Sequence, residues 1–439
     1  MKKFLPSKIV IGVFVLLCVL GGAGYYWLQT KSTAVEVVYK TPHEADVYVR
    51  FDMEAYDKLQ QNFWMKTEDK DLAQLFQLAL QKATSATSAP ALLSPDRSGV
   101  AGMLATAFAA ATSTQAKVDL ARNVLIVALY NLPPNGRSGL LSDKQEKELR
   151  QNVANVNPAK DLYQDLGLAK GASVEQVAAA AASKEALLKN STAPEAKEEL
   201  KKVSYAKEVL TASQSKALYD EQRIEPTAFS RILGKTLYFN LTKISPTTLQ
   251  EFAVAVEAAS TTPGLDSMIL DLRGNVGGSL DFTQYFLGLF IGKDQYAFDL
   301  FHQGEYTVQR TALPQFDRLN RYKDIALLTD GNTQSTAELT TVAFKRFKLG
   351  HVVGTKTRGW GTVENTYALE TPIELDVKYS LLLVNNITLR GDNQPVEGRG
   401  VEPDVDTSKA GWQNDLSKYF TSPSLIQALR TVAAKAPLQ

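Results

Sequence analysis

Between residues 235 and 354 the sequence alternates short apolar runs with longer amphipathic ones. "KTLYFNLTKI", "DSMILDLR", "DIALLTD" and "HVVG" are rich in β-branched and large apolar residues and end on turn residues. Between them lie "SPTTLQEFAVAVEAA", "SLDFTQYFLGLFIG" and "STAELTTVAFKRFK", which are long enough for helices. In the first, Leu249, Phe252, Ala253 and Val256 fall on one stripe, and Ser245 is the expected cap. A strand followed by a helix returns the chain to the starting edge, so the next strand runs parallel to the first. The fold class expected is therefore α/β, with a mostly parallel sheet and crossover helices. "LDVKYSLLLVNNIT" adds β-strands later, and "PSLIQALRTVAAKA" reads as a closing helix.

Upstream the texture is helical. Residues 45 to 82 read as a short strand and then helices, with Leu72, Leu75, Leu78 and Leu80 largely on one face. "TSATSAPALLSPDRSG" breaks the pattern; "VAGMLATAFAAATST" and "VDLARNVLIVALYNL" resume it. Ser173 is an expected helix cap, with Glu175 in the first turn. At the N-terminus Lys2, Lys3 and Lys8 precede an uncharged run from Ile9 to Trp27 that is close to a bilayer's thickness as a helix. Tyr25, Tyr26 and Trp27 suit the far interface, and the lysines favour an inside N-terminus. The expectation is a single-pass cell-membrane anchor, or a cleaved signal sequence and a secreted chain. In both cases the bulk lies outside the cytoplasm. The expected divisions are 1–30 anchor or signal, 31–158 helical region, 159–224 helical module, 225–410 α/β core and 411–439 helical tail.

Composition narrows the chemistry. Net charge is +1 and no basic stripe appears, so a nucleic-acid surface is not expected. One cysteine, Cys18, rules out an internal disulfide, and three histidines leave little for a metal centre. No metal or cofactor is expected.

In open α/β sheets, sites form where strands end and helices begin. Two such junctions stand out. "LDLRGNVGGSL" places glycines after a strand, which lets backbone N–H groups approach a ligand. "LLTDGNTQSTAEL" places Ser335 at a helix start, as a cap or as a nucleophile. Together they offer a hydroxyl and N–H donors for a developing oxyanion.

These residues resemble the C-terminal processing (tail-specific) serine peptidases over about 225–410. "DLRGNVGG", Ser335 with Glu338 three residues on, "GWGTV" and "GRGVEPD" match four motifs in order. "FDMEAYDKLQQNF" and "GLLSDKQEKELRQ" resemble the family's lead-in. The resemblance implies Ser335 as nucleophile and the N–H groups of Gly277 and Thr336 as the oxyanion hole. It also implies a polypeptide substrate, with a tail added as a strand beside the site. The family's general base, a lysine, falls at Trp360, and its orienting glutamine falls at Glu364. A relative's lead-in histidine falls at Arg137. Three readings stay open. Lys356 substitutes as base with Glu364 orienting it, or Glu364 acts itself; or the chain is a pseudopeptidase that binds peptide without cutting; or it serves another activity or a structural envelope role.

Where the family carries a PDZ domain, "DLYQDLGL", "ASVEQV", "YAKEVL" and "KALYD" resemble a J-domain instead. The His-Pro-Asp loop would fall at Lys189, Asn190 and Ser191 and is missing. The resemblance implies a three-helix module without a heat-shock chaperone partner.

Overall fold

The computed structural model describes residues 39–191 and 193–437. The expected anchor over residues 1–30 lies outside them. Among the described residues no helix is long and apolar enough to cross a membrane.

Four helices come first: α1 (Val47–Asn62), α2 (Asp69–Ala83), α3 (Arg97–Ala110) and α4 (Thr114–Tyr130). The short strand expected near residue 45 is in fact the start of α1. Val47, Val49 and Phe51 alternate as in a strand, yet Asp46 caps the segment, its carboxylate accepting the N–H of Tyr48 at 2.8 Å. Val49, Met53 and Tyr56 then continue as a buried helical stripe. Strand β1 (Gly139–Ser142) and α5 (Asp143–Val153) follow.

Next comes a helical insert, α6 (Leu162–Leu166), α7 (Val174–Lys189), α8 (Ala196–Thr211) and α9 (Ser213–Gln222). It has four helices, one more than expected. The extra one is a short helix that Asp161 caps and Gly167 stops at a φ of +72°. Ser173 caps α7, as its sequence suggests. Leu162, Tyr163, Val177, Val203, Leu210 and Tyr219 give the insert its own core. Its ends meet: Val156 and Ile224 form an antiparallel bridge, and the Glu225 N–H donates to Asn155 O at 3.1 Å. Tyr205 and Lys160 both donate to the Glu225 carboxylate, at 2.5 and 3.0 Å.

The α/β part runs β2 (Ala228–Leu233), β3 (Thr236–Leu241), α10 (Thr248–Ala259), β4 (Ser267–Asp271), α11 (Phe282–Ile291), β5 (Tyr296–His302), β6 (Glu305–Arg310), β7 (Asp324–Thr329), α12 (Thr336–Arg346) and β8 (His351–Gly354). Then follow β9 (Thr362–Glu374), β10 (Val377–Thr388), β11 (Val405–Asp406), α13 (Trp412–Asp415) and α14 (Pro423–Val432). Ser245 is not the cap of α10, which begins at Thr248; its N–H donates to Thr248 Oγ1 in the preceding turn.

One sheet has the order β11-β8-β7-β4-β3-β2, parallel throughout except for β2. Leu270 in β4 lies opposite Phe239 on one side and Leu327 on the other. Helices α10 to α12 cover one face, where the rings of Phe252, Phe286 and Phe344 pack at centroid distances of 4.8 and 5.7 Å. Trp412, Leu425 and Leu429 cover the other. Each such buried side chain is worth about 1.5–3 kcal/mol. The second sheet is antiparallel and centred on β10, which pairs with β9, β1 and β5, with β6 outside β5. Leu381 and Leu383 of β10 share a core with Phe51, Phe76 and Leu125 of the first helices. The C-terminal ends of β4 and β7 thus lie side by side, where open parallel sheets place their sites.

Candidate active site

The turns after β4 and β7 are stitched together. Asp330 Oδ1 accepts the N–H groups of Gly274, Asn332 and Thr333 at 2.9–3.0 Å. Thr333 Oγ1 donates to Leu272 O at 2.8 Å, and the Gln334 N–H donates to Asn275 O at 2.9 Å. Arg273 chelates Asp271 at 2.6 and 2.9 Å and donates to Lys435 O, which ties the chain end to this corner.

Ser335 heads α12 with φ +56° and ψ −128°, a left-handed conformation that costs a non-glycine residue about 1–3 kcal/mol. Such strain persists only where the surroundings enforce it. Here the Ser335 N–H is held by Glu338 Oε2 at 3.0 Å. Gly277 closes in from the other turn, with φ +82°. A Cβ there would lie 2.7 Å from Ser335 Cβ and 2.9 Å from Thr336 N, so only glycine fits. Ser335, Gly277 and Thr336 are therefore brought together.

The oxyanion hole differs from the expectation at one donor. The Gly277 N–H turns into its own loop and donates to Asn275 Oδ1 at 2.8 Å, while Asn275 Nδ2 donates to Leu241 O at 2.6 Å. In this arrangement Gly277 does not offer its N–H to a ligand. Thr336 is the first residue of α12, where N–H groups lack intrahelical partners, and its side chain is fastened to Gly278 O at 3.0 Å.

Glu338 is fully buried and gathers four donors: the N–H of Ser335, Thr357 Oγ1 at 2.5 Å, and the N–H groups of Gly359 and Trp360 at 2.7 Å. Burial pushes its carboxyl above the ordinary range although all four donors pull the other way. With its lone pairs engaged it has no capacity left to take a proton from Ser335.

The loop side departs from the peptidase pattern. The Trp360 indole donates to Glu364 Oε1 at 3.1 Å, and the Arg137 guanidinium lies 3.3 Å from the centre of the indole ring. Arg137 also pairs with Glu397 at 3.0 Å, while the other Glu397 oxygen accepts the Gly361 N–H at 2.8 Å. So the two positions where a base is missing, Arg137 and Trp360, pack on each other. Glu364, expected to orient a lysine, holds the indole instead. Burial pushes its carboxyl up against the pull of Thr362, Trp360 and Arg137. Lys356, expected as the substitute base, sends its Nζ to Glu402 at 2.9 Å and is 52% exposed. An exposed, ion-paired ammonium is not the desolvated amine that proton abstraction needs.

No histidine serves either. His302 Nδ1 bonds Asn385 O at 2.6 Å, and His351 lies by Asp404 and the rings of Tyr419 and Phe420. Among the described residues no group of three metal-ligating side chains occurs. Sequence reasoning missed Asn275 and Glu397. Asn275 lies inside "DLRGNVGG" and Glu397 immediately before "GRGVEPD", motifs singled out for other reasons, and neither role has a signal at short range.

A strained serine at a strand-to-helix turn, with a glycine turn pressed against it on a parallel sheet, defines a serine-hydrolase type of site. Residues 235–407 match Peptidase family S41, and the chain carries a domain of that family. Similar curated proteins are the "Probable CtpA-like serine protease" of Staphylococcus haemolyticus, 30% identical over 178 residues, and that of Staphylococcus aureus (strain COL), 32% identical over 181. Each match covers 40% of this chain and 34% of the relative, so the chain spans about a third of their length. Among solved structures, a lipoprotein from Streptococcus agalactiae is 14% identical with a TM-score of 0.44, over 87% of this chain and 98% of that one. The photosystem II D1 C-terminal processing protease is 13% identical with a TM-score of 0.45, over 82% and 92%.

Proposed function

We propose that this chain binds extended polypeptide tails at an S41-type site that no longer cleaves them. The observation that carries this reading is the Arg137–Trp360 stack. It fills both positions at which the family resemblance expects a base, while among the described residues Lys356 is paired with Glu402 and Glu338 has its lone pairs engaged. A serine without a base is a weak nucleophile, and loss of general-base catalysis alone lowers the rate by about 10²–10⁴-fold. The glycine turn and the head of α12 still offer a backbone surface on which an extended chain can pair. Anchoring through residues 9–27, with the domain outside the cytoplasm, is part of the same proposal. So is a spacer role for the J-like insert, without a chaperone partner.

Retention of Ser335 in its strained conformation favours a second reading, a slow peptidase of the C-terminal processing type. One experiment separates them. A fluorophosphonate probe and a casein assay are applied to the wild type and to Ser335→Ala. The binding reading expects no labelling and no cleavage by either. Labelling and cleavage by the wild type that vanish in Ser335→Ala would establish the peptidase instead.

A further inference from the structure

Most strand edges in the two sheets are short or attended. β11 and β1 have two and four residues. β2 lies against α8 of the insert, with the Tyr205 and Phe229 rings 6.0 Å apart and Arg231 3.8 Å from Glu208. On β9, the Glu54 carboxylate accepts the N–H groups of Glu370 and Thr371 at 2.8 and 2.9 Å. β6 differs. It is the outer strand of the antiparallel sheet, five of its six residues are exposed, and among the described residues no strand pairs with its far side.

The direction of its free groups follows from the hairpin. Gln303 and Gly304, both at positive φ, form a two-residue turn that leaves His302 and Glu305 as a hydrogen-bonded pair. Pairs then alternate along the ladder, so Glu305, Thr307 and Gln309 bond to β5. Thr311 keeps this phase: its N–H donates to Gln295 O and its O accepts the Asp294 N–H, both at 2.9 Å. Tyr306, Val308 and Arg310 therefore turn their N–H and C=O groups outward. Their side chains share one face, where the Tyr306 ring lies 5.1 Å from that of Phe301. Tyr306 is 60% exposed and Val308 50%. Neither lysine nor proline, the residues that usually keep such an edge from pairing, interrupts the strand.

The pattern is symmetric about Val308. A two-fold axis there sets Val308 against Val308 and Tyr306 against Arg310 on each side, and each of these three pairs exchanges two backbone hydrogen bonds. The Arg310 guanidinium donates to Asp294 O at 3.1 Å and has no carboxylate partner among the described residues. Opposite Tyr306 it gains an aromatic face. On the other side of the sheet Thr307 meets Gln309. Charge selects the same direction: Glu305 opens the strand and Arg310 closes it, so antiparallel copies bring opposite charges together and parallel copies stack like ones. A strand of unrelated sequence gains the backbone bonds alone.

We propose that β6 is the interface of a homodimer, in which two copies of this chain pair the strand antiparallel with Val308 opposite Val308. The proposal is independent of whether the site cuts or only binds.

The test uses the full chain in detergent. For crosslinking, Cys18→Ser removes the native thiol. Opposed residues of such a pair have Cα atoms about 5.5 Å apart, within disulfide range. Val308→Cys is expected to give a covalent dimer on mild oxidation. Leu375→Cys, 89% exposed on the turn after β9, is expected to give none. A small edge contact corresponds to a micromolar Kd, so light scattering at about 100 μM protein is expected to show a dimer. Val308→Lys sets two ammonium groups face to face and is expected to weaken that dimer about a hundredfold, while Leu375→Lys leaves it unchanged. A monomer at this concentration, or a dimer that Val308→Lys leaves intact, would overturn the proposal. Crosslinking at Thr307→Cys without crosslinking at Val308→Cys would overturn the pairing as stated.

Discussion

The two sides of the site match the expected peptidase pattern to different degrees. The nucleophile side, made of the turns after β4 and β7, keeps a strained Ser335, a glycine that nothing else can replace, and an interlocking set of backbone bonds. The loop side, Gly359 to Glu364 with Arg137 and Glu397, keeps its backbone anchors to Glu338 and Glu397 but carries an indole and a guanidinium in place of an amine. The difference teaches that this architecture does not depend on the catalytic base. Glu338 and the glycines hold the shape, and the Trp360 indole and Arg137 guanidinium stack beside it.

The comparison breaks hardest at Glu338. Glu338→Ala leaves four buried donors without an acceptor and is expected to cost about 4 kcal/mol in urea unfolding, with both sides loosened together. A cost under about 1 kcal/mol would mean that the two sides are held independently. Gly277→Ala forces a methyl into Ser335 at an unfavourable φ, for about 3 kcal/mol by the same measurement.

Chemistry sharpens the contrast. If the nucleophile side is intact, Trp360→Lys with Glu364→Gln should bring casein turnover about a hundredfold above the assay background at which the wild type lies, roughly 2.7 kcal/mol of barrier. No gain would point to the Gly277 N–H, which is engaged by Asn275, as the remaining block. Arg137→Ala removes the stack and the Glu397 pair, for an expected loss of about 2 kcal/mol and a red shift in tryptophan emission.

The smallest effect is one of pH. Burial raises the Glu364 carboxyl, so its protonated form is favoured in the folded state. Its contribution to stability is full below the unfolded carboxylate pKa and is lost as pH rises through the folded value. Relative to the wild type, Glu364→Gln should therefore gain stability at neutral pH and lose that advantage on acidification. Parallel pH curves for the two would refute this assignment.

Much of the α/β part was legible because its signals are local. Strand length, helix periodicity and turn glycines decide the order of β3, β4, β7 and β8, and the motifs place Ser335 beside Gly277. The start of α1 was misread because three alternating apolar residues imitate a strand, while a single aspartate cap decides for helix. At the site, what stayed hidden depends on geometry that one segment cannot carry. That Asn275 would claim the Gly277 N–H depends on the pitch of a turn. That Arg137 would lie on Trp360 depends on two loops far apart in sequence meeting across the site, and single residues give no sign of which partner they will choose.

The bridge between Val156 and Ile224 carries a further consequence. The chain leaves for the helical insert and comes back through one narrow doorway, so the host sheet keeps its strand order with or without the passenger. Exchange of that cassette for another asks the rest of the molecule only for a joint the length of a tight turn, together with a new partner for the carboxylate of Glu225.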